Sequence, residues 1–195
     1  MDAEFVTERL ALRRFTPGDA ANLLALDSDP AVMRFLDRRT TSLSQVEAEV
    51  LPRFLDFHRA HPGFGWWVAG LRHDGTFIGW FGLRAVTPAD GPMVDWPDAT
   101  GPPAAELGYR LRRDAWGHGY ATEGARALVR RAFTGLGVTE VVATTMAVNT
   151  RSRAVLAKAG LTHVRTVHLA WEEPLAGSEH GDVEYRLHRD DRAGG

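Results

Sequence analysis

The most regular alternation of polar and apolar residues lies near the middle of the chain and predicts a strand, a glycine turn and a helix. In the segment 106–111 every second residue is apolar, so Leu107, Tyr109 and Leu111 would share one face of a strand. A turn with two glycines follows. Beyond it, apolar residues recur with the spacing of one helix face at Ala121, Ala125, Leu128, Val129, Ala132 and Phe133.

The flanking segments predict further strands and helices in a mixed order. Helices are expected after Thr16-Pro17, around 32–36, after a capping box at Ser44–Glu47, and from Asn149 or Thr150 to Gly160. Pro52 predicts a kink in the third of these or a boundary one turn later. Strands are expected over 6–15, 64–71, 76–86, 140–148, 161–171 and 183–188. This order predicts a mixed α/β sheet with a central strand–helix–strand crossover.

The composition narrows the class of protein. The 195 residues fit a single domain, 1–195, with the turn-rich stretch 87–103 as a loop insertion. A formal net charge of −2 argues against nucleic acid as an obligate partner, and the absence of cysteine excludes a thiolate nucleophile. The N-terminus lacks the pattern of a signal peptide, and no apolar stretch reaches membrane-spanning length. We therefore expect a cytoplasmic protein without a membrane partner.

The glycine turn before the central helix is a candidate anion site. The first N–H groups of a helix have no partner within it, and the helix dipole favours negative charge there. Two well-known phosphate loops are excluded: Gly119 and Gly124 lack the Lys-Ser/Thr pair of a P-loop, and Thr122 replaces the third glycine of a dinucleotide-binding turn. The turn alone is equally compatible with an ordinary strand–turn–helix corner.

Two motifs at the right separation resemble the GNAT family of acetyl-CoA-dependent N-acetyltransferases, and more narrowly its ribosomal-protein N-terminal (Rim-type) branch. The first is Ala105-Glu106-Leu107-Gly108-Tyr109 followed by Trp116-Gly117-His118-Gly119-Tyr120-Ala121-Thr122-Glu123. The second is Asn149-Thr150-Arg151-Ser152-Arg153 followed by Lys158-Ala159-Gly160-Leu161. The resemblance implies a largely antiparallel central sheet with helices on both faces.

The same resemblance implies a set of residues that bind acetyl-CoA, the acyl donor. Main-chain N–H groups of the loop would bind the diphosphate, and Asn149 would contact the pantetheine arm. A bulge at Gly108 would free the N–H of Leu107 or Gly108 for the thioester carbonyl. The full predicted set is Leu107, Gly108, Tyr109, Trp116, Gly117, His118, Gly119, Tyr120, Ala121, Thr122, Asn149 and Ser152.

Two side chains are candidates for catalysis. Glu106 would accept the proton of the amine, although it could equally be a solvent-facing carboxylate or the partner of Arg110. Ser152 would protonate the departing thiolate, because Leu156 stands where many family members have tyrosine; alternatively, the thiolate leaves unassisted and Ser152 is a plain helix residue. The eight histidines show no pattern of a metal site, so no metal is expected.

The resemblance implies transfer of an acetyl group to a primary amine, on either a peptide N-terminus or a small molecule. An aminoglycoside acceptor is one possibility within that class. The alternative is an acyl-CoA-binding sensor or scaffold without turnover, suggested by the missing tyrosine. The loops 87–103 and 172–182 would form part of the acceptor wall, and the chain would be a monomer or a homodimer.

Overall fold

Eight strands form one sheet in the part of the chain that the structure describes. The structure is a computed structural model and describes residues 3–36, 42–86, 104–168 and 174–194. The strands are β1 (Phe5–Val6), β2 (Leu10–Arg14), β3 (Gly65–Leu71), β4 (Phe77–Val86), β5 (Ala104–Leu111), β6 (Glu140–Met146), β7 (Thr162–Val167) and β8 (Asp182–His188). Their order across the sheet is β1-β2-β3-β4-β5-β6-β8-β7. Of the seven pairings, β5–β6 is parallel and the other six are antiparallel.

Helices lie on both faces of this sheet, as expected. A 3₁₀ turn leads into the first helix, and a π-helical segment separates the second from the third. The helices are α1 (Ala20–Asp27), α2 (Leu43–Gln45), α3 (Leu51–Ala60), α4 (Tyr120–Gly135) and α5 (Thr150–Lys158), with the π-helical segment at Val46–Val50. The mixed α/β class and the crossover from β5 through α4 to β6 are confirmed. None of the described helices combines the length and apolar character needed to cross a bilayer.

Three predictions for the first third of the chain were wrong in detail. The strand expected over 6–15 is a hairpin of β1 and β2, and the helix expected around 32–36 is a series of turns. The cap of α2 is Ser42, whose Oγ accepts a hydrogen bond from the Gln45 N–H at 3.2 Å. Pro52 lies in the first turn of α3, just after the π-helical segment, where its missing N–H is tolerated.

The two faces of the sheet differ in what they carry. The α4 face, defined by Leu107, Val141 and Tyr185, packs into the main hydrophobic core with α4 and α5. Gly124 lets α4 approach β4 closely, since a Cβ there would lie 2.2 Å from Phe81. The Glu106 face, defined by Glu106, Val142 and Glu184, is the opposite side. Over β3 and β4 it is packed against a smaller core that includes residues of α1 and α3.

Strands β5 and β6 separate part of the way along. Their pairing runs only from Ala104↔Glu140 to Glu106↔Val142, although both strands continue beyond it. On its other side β5 pairs with β4 in unbroken register, from Gly79↔Leu111 to Val86↔Ala104. The prediction of a bulge at Gly108 is therefore wrong. The opening arises instead because β6 diverges from β5.

Candidate functional site

The glycine turn at the start of α4 leaves main-chain donors exposed. Gly117 and Gly119 have φ values of 81° and 82°, in the left-handed region that favours glycine. Gly119 is the N-cap of α4, and no side chain caps the helix. A Cβ at Gly117 would meet no atom within 4 Å, so the space in front of the turn is open. The N–H groups at the start of α4 therefore face a region that can accept an anion.

Residues of the first hairpin hold the turn in place through hydrogen bonds. The Arg9 guanidinium donates to the His118 carbonyl at 2.9 Å and to Glu123 Oε2 at 2.6 Å. Glu123 also accepts from the Arg9 main-chain N–H and from the Thr7 hydroxyl. Burial alone would raise the pKa of Glu123, but these hydrogen bonds and the Arg9 charge bring it below the ordinary value. The contacts from Thr7 and Arg9 thus fix the orientation of the turn.

A second group of polar side chains lies where β5 and β6 separate, on the α4 face. The Asn149 side chain caps α5 by accepting from the Ser152 N–H at 3.2 Å, and its Nδ2 donates to Thr145 Oγ1 at 3.1 Å. The Tyr109 hydroxyl lies 2.9 Å from Ser152 Oγ and 3.2 Å from the Ser152 carbonyl oxygen. This contact connects β5 to α5 across the gap between β5 and β6.

Both hydroxyl groups of the Tyr109–Ser152 contact are protonated at neutral pH. Burial raises the pKa of Tyr109 to about 12, against the opposing effect of its hydrogen bond with Ser152. Either hydroxyl can donate to the other. Because the pair lies at the opening between β5 and β6, it can supply a proton to a group that passes through that opening.

Glu106 lies on the other face of β5 and is paired with an arginine. Arg84 on β4 donates to Glu106 Oε2 from Nη2 at 2.6 Å and from Nε at 3.1 Å. The pairing of Glu106 with Arg110 was a wrong alternative, because Arg110 forms its ion pair with Asp27 of α1. The Glu106 side chain is 30% exposed, so an acceptor can reach it.

The structure brings the predicted residues together in two groups and adds others that the sequence did not indicate. The loop residues Trp116, Gly117, His118, Gly119, Tyr120, Ala121 and Thr122 lie at the α4 start, and Glu106, Leu107, Gly108, Tyr109, Asn149 and Ser152 lie around the opening between β5 and β6. Reasoning from the sequence missed Thr7, Arg9, Asp27 and Arg84. The segment Thr7-Glu8-Arg9 has no hydrophobic periodicity that would predict its contact with α4.

A long thioester with a diphosphate fits this arrangement. Unpaired main-chain donors suit the diphosphate, and the separated strands give an extended arm a main-chain edge to lie along. Within the described ranges, no group of three or more His, Asp or Glu side chains is placed to hold a metal ion. Of the two loops predicted to form part of the acceptor wall, 87–103 and the first two residues of 172–182 lie outside the described residues.

Comparisons with known proteins agree with this geometry. Residues 9–162 match the family model described as an acetyltransferase (GNAT) domain. The FsC-acetyl coenzyme A-N(2)-transacetylase of Aspergillus fumigatus is 38% identical over 168 residues, which cover 86% of this chain and 68% of that protein.

Solved structures share the fold. RimL, a ribosomal L7/L12 alpha-N-protein acetyltransferase in complex with coenzyme A, is 20% identical with a TM-score of 0.74, covering 95% of this chain and 97% of that one. AAC(6')-Ib in complex with ribostamycin and coenzyme A is 21% identical with a TM-score of 0.74, covering 96% of this chain and 97% of that one. At these identities the likeness shows the fold alone.

Proposed function

The chain belongs to the GNAT acetyltransferase family, and on that premise we propose that it acetylates a primary amine by direct attack of the amine on the thioester of acetyl-CoA. The observation that carries this proposal is the uncapped start of α4, which lies on the path from β5 to β6 where these strands part. The family makes it an acyl-CoA-dependent N-acyltransferase. The identity of the amine is the open part of the proposal.

The residues of the loop hold the donor. Acetyl-CoA supplies the activated acyl group as a thioester. Main-chain N–H groups from His118 to Thr122 bind its diphosphate, and Trp116 and Gly117 shape the turn that presents them. The Arg9–Glu123 pair holds the turn in shape, since Arg9 donates a hydrogen bond to the His118 carbonyl.

The β5 edge holds the reacting end. Beyond Glu106, β5 has β4 on one side and has parted from β6 on the other, so main-chain groups of Leu107 and Gly108 can serve the thioester. An N–H from this pair donates to the carbonyl oxygen as negative charge develops there, and one such donor is typically worth about 10²–10³ in rate. Asn149 fixes the start of α5 opposite this edge.

Glu106 and Ser152 move the protons from opposite faces of the sheet. Glu106 takes the proton that the attacking nitrogen loses, and Arg84 holds its carboxylate in place. The Ser152 hydroxyl gives a proton to the sulfur when the carbon–sulfur bond breaks, and Tyr109 supports it through their hydrogen bond. Leu156, which stands at the position usual for tyrosine, is buried in the core and has no hydroxyl, so we assign the role of proton donor to Ser152.

The acceptor belongs to the amine class, on a peptide N-terminus or a small molecule. The Rim-type motifs favour a peptide N-terminus, while the relative from Aspergillus fumigatus is named for transfer to N(2) of FsC. We place the whole chain, 1–195, in one acetyltransferase domain.

A thiol-release assay tests the proposal. Purified protein and acetyl-CoA are incubated with a panel of peptides, amino acids, polyamines and aminoglycosides, and calorimetry measures acetyl-CoA binding separately. We expect acetyl-CoA binding and acceptor-dependent thiol release with at least one amine. Binding without release across the panel would favour the sensor alternative, and absence of binding would overturn both.

A further inference from the structure

Among the described residues, the Glu106 face carries four carboxylates on adjacent strands, and arginine neutralises three of them. Glu106 pairs with Arg84 at 2.6 Å. Glu140 pairs with Arg186 at 3.3 Å. Glu184 pairs with Arg165 at 2.9 Å and with Arg186 at 2.5 Å. The fourth carboxylate on this face is Asp182.

Asp182 differs from these three because it has no partner in the part of the chain that the structure describes. Its exposed fraction is only 8%, comparable with core residues. Burial raises the pKa of its carboxyl, and no hydrogen bond or neighbouring cation opposes this effect. A desolvated, unpaired carboxylate costs stability, and a cationic ligand that reached the Asp182 oxygens at the head of β8 would offset that cost.

Asp182 lies on β8, one strand away from the opening between β5 and β6, on the far side of β6. It pairs with Met146, four residues beyond Val142, where the β5–β6 pairing ends. The Ala147 N–H donates to the Gly181 carbonyl at 2.9 Å, which ties the residue before Asp182 to the turn that carries Asn149. Its side chain follows the alternation of Glu184 and Arg186, so it lies on the same face as Glu106.

We propose that Asp182 binds an ammonium group of the amine acceptor, an inference that rests on the proposed function. The acceptor supplies the positive charge that arginine supplies to Glu106, Glu140 and Glu184. An amino group of the acceptor other than the attacking nitrogen is an ammonium ion at neutral pH, and a charge-assisted hydrogen bond to a desolvated carboxylate is stronger than one to a solvated carboxylate. Asp182 thus selects cationic acceptors on the face from which Glu106 takes the proton.

Asp182→Asn tests this role, with Asp190→Asn as the matched control. Asp190 is also an aspartate near the end of the chain, but its side chain is 80% exposed. For the amine with the fastest thiol release in the panel, Asp182→Asn should raise the acceptor KM about 10- to 100-fold, the loss expected for a hydrogen bond to a charged group. The acetyl-CoA Kd from calorimetry should stay within about twofold, and Asp190→Asn should change neither.

Thermal melting separates this role from a structural one. An unpaired carboxylate destabilises the ligand-free protein, so Asp182→Asn should melt at the same temperature as the wild type or higher. Glu184→Gln, which removes charge from a carboxylate held by two arginines, should melt lower. An unchanged acceptor KM, or a lower melting temperature for Asp182→Asn, would overturn the inference. If the wild type turns over no amine, the proposed function fails. The melting temperatures then still test whether the Asp182 carboxylate stabilises the fold.

Discussion

The glycine turn before α4 and the Glu106 face of the sheet present groups of opposite polarity by different means. The turn offers main-chain N–H groups from one contiguous stretch. Its two glycines allow the left-handed backbone conformation that the turn requires. The Glu106 face instead offers side chains from β4, β5, β6 and β8, each placed by its position along a strand.

This difference predicts which half of the site tolerates change. A main-chain site depends on φ and ψ and is insensitive to most side chains, whereas a side-chain site is altered by single substitutions. The donor side should therefore remain constant among related proteins of different specificity. The Glu106 face should decide which amine is accepted.

Glu106→Gln should have the largest effect on turnover. Removing the proton acceptor should lower kcat about 10²-fold or more while the acetyl-CoA Kd stays unchanged. Glu140→Gln is the matched control, because Glu140 lies on the same face at the end where β5 and β6 are still paired. Rates for both variants come from thiol release at saturating acetyl-CoA. Equal rates for Glu106→Gln and the wild type would remove Glu106 from the reaction.

Gly119→Val tests the main-chain side. A β-branched residue at φ 82° is strained, and a Cβ there would lie 3.3 Å from Arg9 Nη2. The turn must change shape, so the acetyl-CoA Kd should rise about 100-fold, equivalent to roughly 3 kcal/mol. Gly137→Val is the control, since Gly137 has φ 66°, open space around it and a place beyond the far end of α4. Calorimetry should show weakened binding for Gly119→Val alone.

Tyr109→Phe tests the support of Ser152 and should have a smaller effect. Loss of one hydrogen bond should slow the single-turnover rate about tenfold, with the acetyl-CoA Kd unchanged. Ser152→Ala should slow it more, because it removes the hydroxyl assigned to the sulfur. If the two act as one unit, the double variant should be no slower than Ser152→Ala alone. Additive losses would show that Tyr109 acts independently of Ser152.

The local elements of the donor side could be predicted from the sequence. The strand at 106–111, the turn at Gly117 and Gly119, and the cap at Asn149 are local features, and each is present in the structure. Their roles in binding and catalysis stay predictions. Of the two alternatives that Pro52 left open, a kink or a later boundary, the structure shows Pro52 in the first turn of α3.

The Glu106 face could not be predicted, because its pairings join distant parts of the chain. Arg84 and Glu106 are 22 residues apart, and Arg110 and Asp27 are 83 apart. The error at Gly108 has a similar cause. A glycine in mid-strand suggested a bulge, but the opening depends on how β6 diverges from β5, which no residue within β5 reveals.

The pH dependence of stability should show the smallest effect and tests the Glu106 face without any ligand. The folded-state pKa of Asp182 lies above its ordinary value of 3.8, so folding is favoured while the group is protonated, and this contribution is lost as the pH rises through the folded pKa. Asp182→Asn cannot ionise. Its melting temperature relative to the wild type should therefore be higher at pH 8 than at pH 4. Glu184, Arg165, Arg186 and His168 are the charged or titratable groups nearest along the paired strands, and they are present in both proteins, so their titration cancels in the difference. A difference in melting temperature that is independent of pH would show that the folded-state pKa of Asp182 is not raised, and a lower relative melting temperature at pH 8 than at pH 4 would show that Asp182 has a cationic partner.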